Sequence, residues 1–220
     1  MLELTTFRIA NYETPLWAVE NFASGRYNVA DRGHTQYLCL HPLTPWAEML
    51  RNEDRRTPER AALMRARIWV IRATLREPPL QLSFAGAAAH GLAPADLVGD
   101  DHQPCQALAD RLRAAGVEAF LAPSAALAGT TNLVVLAPRV LCGWQQTPID
   151  ALDWPGSVLA DSAHCPSGVP ALVHHRGAGV PHRALAAWEA GAENRLEERM
   201  DPSHVWSTAP ASAAPPPYER

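Results

Sequence analysis

The sequence contains no lysine: all 19 basic side chains are arginines, set against 23 acidic ones for a formal charge of -4. That balance gives no broad cationic surface for gripping a phosphate backbone, so nucleic acid is not expected as a direct partner. An all-arginine complement suits planar recognition of carboxylate or phosphate, and it is also what a GC-rich genome produces. No Cys-x-x-Cys pair occurs. Cys39, Cys105, Cys142 and Cys165 are widely spread and read as reduced core thiols. No apolar run approaches a membrane span, and the opening residues lack the basic start and apolar stretch of a signal peptide, which predicts a cytoplasmic protein with no membrane contact.

The common chemical signatures are missing as well. There is no Gly-x-x-x-x-Gly-Lys-Ser/Thr loop, Gly-x-Gly-x-x-Gly, Gly-x-Ser-x-Gly or His-Glu-x-x-His, which removes the usual support for P-loop, Rossmann, α/β-hydrolase and zincin chemistry. Cys165, His174, His175 and His182 match no standard zinc spacing, and no metal is expected.

What is present fits one core with an appendage. The sequence divides into a catalytic unit over 1–140, an irregular and helical extension over 141–206 and a disordered tail over 207–220. Strands are expected at Thr6–Ile9, Gln36–Leu40, Arg67–Ala73, Glu118–Ala122 and Asn132–Ala137, from alternation and β-branched content. An irregular turn is expected over Asn11–Trp17.

Thr44-Pro45 and Thr57-Pro58 read as helix starts. Cys105, Leu108, Ala109 and Leu112 mark the buried face of a helix over Pro104–Ala115, stopped by Gly116. A further helix is expected from Pro181 to about Met200, with Leu185, Trp188 and Leu196 on one side. Unevenly alternating strands and helices favour an α+β (mixed α/β) domain over a doubly wound sheet.

Four residues stand out: Arg26 in the glycine-containing loop Ser24–Asn28, Tyr37 in a strand, Glu48 early in a helix, and Ser124 after a strand-ending proline. Singly, each has a plain explanation: a solvated arginine, a core tyrosine, a helix-dipole partner and a turn cap. As an ordered set they have more weight. Gly25-Arg26-Tyr27-Asn28, Tyr37-Leu38, Glu48 and Pro123-Ser124-Ala125 with Asn132-Leu133 resemble the RES domain, over about Thr6 to Pro138.

That resemblance implies an ADP-ribosyltransferase-like fold and a toxin that depletes NAD by breaking its nicotinamide–ribose bond, with water or inorganic phosphate as acceptor. NAD is then substrate, and no cofactor is implied. The implied partner is an Xre-type helix-turn-helix antitoxin. Cleavage of an N-glycosidic bond passes through an oxocarbenium-like state, which suits a carboxylate beside the developing charge and firm holds on the rest of the dinucleotide.

Glu48 is the candidate for the first task and Arg26 for the second. Tyr37 offers a flat face and a hydroxyl, and Ser124 is expected to hydrogen-bond ribose or the nicotinamide amide. Tyr27 and Asn28 complete the expected substrate-binding set. Transfer of ADP-ribose to protein and a catalytically weak binding module are the alternatives. Tyr27 stands where many members carry tryptophan, and the following turn differs in shape. Residues from Leu141 onward have no matched counterpart and are left between covering the site, forming a homo-oligomer interface and neither.

Overall fold

The computed structural model describes residues 2–9, 23–52, 57–75, 77–136, 157–194 and 196. The expected turn over 11–17, Cys142 and the tail over 207–220 lie outside them. Seven strands form one sheet: β1 Leu2–Ile9, β2 Gln36–Cys39, β3 Arg65–Leu75, β4 Leu80–Gln81, β5 Ala119–Pro123, β6 Thr131–Val135 and β7 Ser157–His164. They lie in the order β4-β5-β6-β2-β1-β3-β7. Every pairing is antiparallel except β4 with β5.

The two-residue period of the strands explains how this sheet is covered on both faces. Phe120, Ala122 and Val134 point into a core with Leu97, Leu108 and Ala109. Their neighbours Leu121, Leu133 and Val135 pack with Leu38, Ile71 and Leu75 in another. A third core joins Ile68 to Trp46, Ala47 and Leu50 of helix α1, Thr44–Asn52. Full burial of side chains such as Trp46 and Leu50 stabilises the fold by roughly 1.5–3 kcal/mol each, which seats α1 firmly against the sheet.

Short helix α2, Pro58–Ala62, starts as its sequence dictates, with the Thr57 hydroxyl accepting from Arg60 N at 3.3 Å. Helix α3, Gln103–Ala114, buries Cys105, Leu108 and Ala109 and ends at Gly116, whose φ of +77° closes the last turn. Between β4 and α3, two 3-10 turns at Ala87–His90 and Pro94–Leu97 carry the chain back over the sheet.

Two expectations for the later residues are corrected. The stretch after Leu141, read as irregular, contains strand β7, which adds to the free edge of β3 with irregular register. Prolines on either side and small residues within (Ser-Val-Leu-Ala-Asp-Ser-Ala-His) hide it, because its order comes from the long partner strand. After the short helix α4, Val169–Leu172, the expected helix over 181–200 is limited to α5, Arg183–Glu189.

Gly191, at φ +70°, ends α5, with Ala192 N donating to Ala187 O at 2.8 Å. Leu185 and Leu196 consequently belong to different cores, and Trp188 is left 39% exposed, leaning on Phe84.

Candidate functional site

Helix α1 meets the β5–β6 connection at one side of the sheet. The Thr44 hydroxyl donates to the Thr130 hydroxyl at 3.0 Å, tying the start of α1 to that connection. One turn later Glu48 projects toward the ends of β5 and β6. Its Oε1 accepts from Ser124 Oγ and from Asn132 Nδ2, both at 2.9 Å. The carboxylate is thereby held in one orientation by a hydroxyl and a carboxamide.

The sequence expectation put Ser124 against substrate; the structure places it behind Glu48. It is 1% exposed, its single proton goes to Glu48, and its oxygen accepts from Ala126 N and Leu127 N. A proline-ended strand followed by a tight turn buries the hydroxyl instead of presenting it. Asn132, which faces the open side of Glu48, was quoted in the sequence only as part of a motif. Its Oδ1 is buried with no partner, an unmet acceptor in the wall of the cleft.

The Arg26 loop is built with comparable economy. Gly25 N donates to Asn28 O at 3.0 Å, closing the loop. The Tyr37 hydroxyl accepts from Tyr27 N at 2.9 Å and donates to Asn28 Oδ1 at 2.8 Å, and Asn28 Nδ2 donates to Ala23 O. Gln106 Nε2, from α3, bonds the carbonyls of Gly25 and Asn28. Glycine is required at 25: a Cβ there would lie 2.7 Å from Asn28 Oδ1 and 2.8 Å from the Tyr37 hydroxyl.

Within this frame Asn28, 2% exposed, holds the loop through both ends of its carboxamide. Tyr27 is 3% exposed and meets Phe120 edge-on with ring centroids 4.9 Å apart. Tyr37 keeps its ring on the cleft, but its hydroxyl belongs to the loop. Burial pushes the phenol pKa of Tyr37 upward, so it stays a donor to Asn28.

Arg26 itself reaches across to the second 3-10 turn and the residues that follow it. It donates from NH1 to Asp96 O at 3.0 Å and from NH2 to Gly99 O at 2.6 Å. Arg51 grips the same segment from the other side. Its NH2 donates to Val98 O and Asp100 Oδ1, and its NH1 to Ala125 O and His174 O.

Only 3% of the Arg51 side chain is exposed. Sequence reading missed it because Arg51-Asn-Glu-Asp-Arg-Arg56 looks like a solvated charge run at a helix end. Its place one turn after Glu48 on the same helix was the available signal.

These groups surround a cleft of about 520 Å³, open on one side, onto which Arg26, Tyr37, Glu48, Asn132 and also Arg8 and Arg51 face. His102 and Arg176 stand on its wall too. Burial, then the charges of Arg26, Arg176 and Arg51, push His102 down to about 4, so its imidazole is neutral and the permanent cations are arginines. Among the described residues that line the cleft, Glu48 is the one carboxylate, bonded by Ser124 and Asn132, and several guanidinium groups stand around it.

His174 and His182 meet edge-on with ring centroids 4.9 Å apart, but among the described residues no group of three metal-ligating side chains converges. Nor is any helix among them long and apolar enough to cross a membrane.

The model of the RES domain matches residues 5–155. The chain belongs to the RES domain family. In this RES domain the matched residues include both the Arg26 loop and the Glu48–Ser124–Asn132 cluster. No curated protein sequence matches the chain.

Among solved structures it is similar to a chain of the M. tuberculosis MbcT-MbcA toxin-antitoxin complex. The likeness has a TM-score of 0.52 at 20% identity and covers 71% of this chain and 85% of that one. The α+β, ADP-ribosyltransferase-like RES fold expected from the sequence is the fold found.

Proposed function

We propose that the protein is the toxin of a toxin-antitoxin pair and destroys NAD by cleaving its nicotinamide–ribose bond. The observation that carries this reading is the orientation of Glu48, held at 2.9 Å by Ser124 and by Asn132 in a cleft that Arg26 also lines. A cleft of about 520 Å³ falls within the ~300–1,000 Å³ typical of small-molecule sites.

In the proposed reaction the bond between ribose C1′ and the pyridinium nitrogen breaks, and its electron pair leaves with nicotinamide. Glu48 stabilises the positive charge that develops on the ribose. An oxygen of water or inorganic phosphate then bonds C1′, giving ADP-ribose or its 1′-phosphate, and a proton is released to solvent. The flat face of Tyr37 and the unpartnered Asn132 Oδ1 are suited to the ring and carboxamide of nicotinamide. Arg26 supplies charge for the pyrophosphate. The toxin half of a pair needs an antitoxin, and an Xre-type helix-turn-helix protein covering the cleft is the proposed partner.

The test is incubation of purified protein with NAD, with and without inorganic phosphate, following nicotinamide and the ribosyl product by mass spectrometry. The parent should release nicotinamide, and Glu48→Gln should lower the rate by about 10²-fold or more. Equal release by both proteins would sink the assignment of Glu48, and ADP-ribose found on protein would replace cleavage by transfer.

A further inference from the structure

The loop that carries Arg26 and a carbonyl that takes its guanidinium are both tied to the first turn of α3. Gln106 Nε2 donates to Gly25 O at 2.9 Å and to Asn28 O at 3.2 Å, carbonyls on either side of Arg26. Two carbonyl oxygens can be met only by a donor, so the carboxamide is oriented with its nitrogen toward the loop. Cys105, the preceding residue, donates from Sγ to Asp96 O at 3.2 Å, the same oxygen that accepts from Arg26 NH1.

We propose that Gln106 is a positioning residue for Arg26: it fixes the backbone of the loop so that the guanidinium meets the cleft at one place. α3 is a firm support for this, because Cys105, Leu108 and Ala109 are buried in the core that also holds Tyr27 and Phe120. The loop is closed by its own bonds, Gly25 N to Asn28 O at 3.0 Å and Asn28 N to Gly25 O at 3.5 Å. Loss of the Gln106 donor therefore shifts the loop against α3 instead of opening it.

In the proposed function Arg26 supplies charge for the pyrophosphate, and the inference rests on that reading. The bond that breaks lies at C1′ of the nicotinamide ribose, away from the pyrophosphate, so a hold on the pyrophosphate acts equally on bound substrate and transition state. A displaced Arg26 raises KM and leaves kcat nearly unchanged. A residue that only supported the fold would lower the melting temperature and the active fraction, hence kcat, without moving KM.

The test is a double-substitution cycle over Gln106→Met and Arg26→Ala, with Gln106→Lys as the variant that restores a donor. Each protein is titrated calorimetrically with ADP-ribose, which keeps the pyrophosphate but has no nicotinamide bond to cleave. Nicotinamide release from NAD is followed in parallel. Gln106→Met should weaken ADP-ribose binding and raise KM by about ten-fold, and Gln106→Lys should recover part of both. Once Arg26 is replaced by alanine, Gln106→Met should cost no further affinity.

Equal weakening by Gln106→Met with and without the Arg26 side chain overturns the proposal, as does a fall in kcat and melting temperature at unchanged KM. Failure of the parent to bind ADP-ribose overturns it as well, because Arg26 would then hold no pyrophosphate. The expected cycle for ADP-ribose without nicotinamide release from NAD would instead refute the cleavage reading and leave the role of Gln106 standing.

Discussion

Ser124 shapes the site from a buried position, through the side chain of Glu48. One hydroxyl serves three partners: it donates to Glu48 and accepts from two backbone amides. Ser124→Ala removes the donor and strands both buried amides, which should destabilise the fold by about 1–3 kcal/mol. The released Glu48 should lower turnover by up to about 10²-fold, because small displacements of a reacting group are expensive in rate.

Urea denaturation and nicotinamide release on the same preparation separate the two effects. Unchanged turnover in Ser124→Ala would mean that the carboxylate keeps its orientation without the serine, through Asn132 and its other contacts. Among the described residues the cysteines Cys39, Cys105 and Cys165 are buried free thiols, and burial pushes Cys165 up to about 12.

Helix α1 carries two functions on one face a turn apart: Glu48 and Arg51 both line the cleft, and the Arg51 guanidinium ties neighbouring segments together. Arg51 joins α1, the turn after Ser124, the 96–100 segment that holds Arg26, and the 174–177 segment. Arg51→Met leaves three carbonyls and Asp100 without their donor, a loss of about 3–5 kcal/mol by comparison with other broken buried pairs. For a chain of this length that is a fall of roughly 10 °C in Tm. A melting curve within about 2 °C of the parent would show that water replaces the guanidinium without penalty.

At this scale the sequence was readable where an element's own residues decide it. The apolar spacing of α3, its Gly116 stop and the β-branched run of β3 all gave the observed elements. It was unreadable where a neighbour decides, as in β7, which β3 orders. It also misled where a signal was outranked: Gly191 ends α5 before the apolar pattern that continues to Leu196.

The whole molecule is expected to respond to acid through its buried imidazoles. Burial, with His174 and Arg51 nearby, pushes His182 down to about 3, and His102 is held near 4. Both are neutral in the folded protein, whereas in the unfolded chain they take up protons below about 6.5. The native state therefore forgoes protons that the unfolded chain binds, and stability falls as pH drops from about 6.5 toward 4.

The urea midpoint should decline between about pH 7.5 and about pH 5, and His182→Leu should flatten that decline. An equal decline in the variant would assign the effect to other groups. The same packing accounts for what the later residues do: His182, 3% exposed, lies beside His174 and close to the Ser124 turn. Residues beyond 157 thus form part of the wall of the site.

The sequence alone determined the family, the α+β class and the set Arg26, Tyr37, Glu48 and Ser124, because local spacing and residue type carry those facts. Only the tertiary structure decided which of them line the cleft. Ser124 and Asn28 turned out to be supports, Tyr37 gave its hydroxyl to the Arg26 loop, and Arg51, Asn132 and Arg176 joined the cleft. Many hydrogen-bond partners at these positions come from far along the chain, such as Ser124 with Glu48 and Arg51 with His174. Whether a polar group is spent inward or left for substrate is settled by that long-range pairing, which no local pattern records.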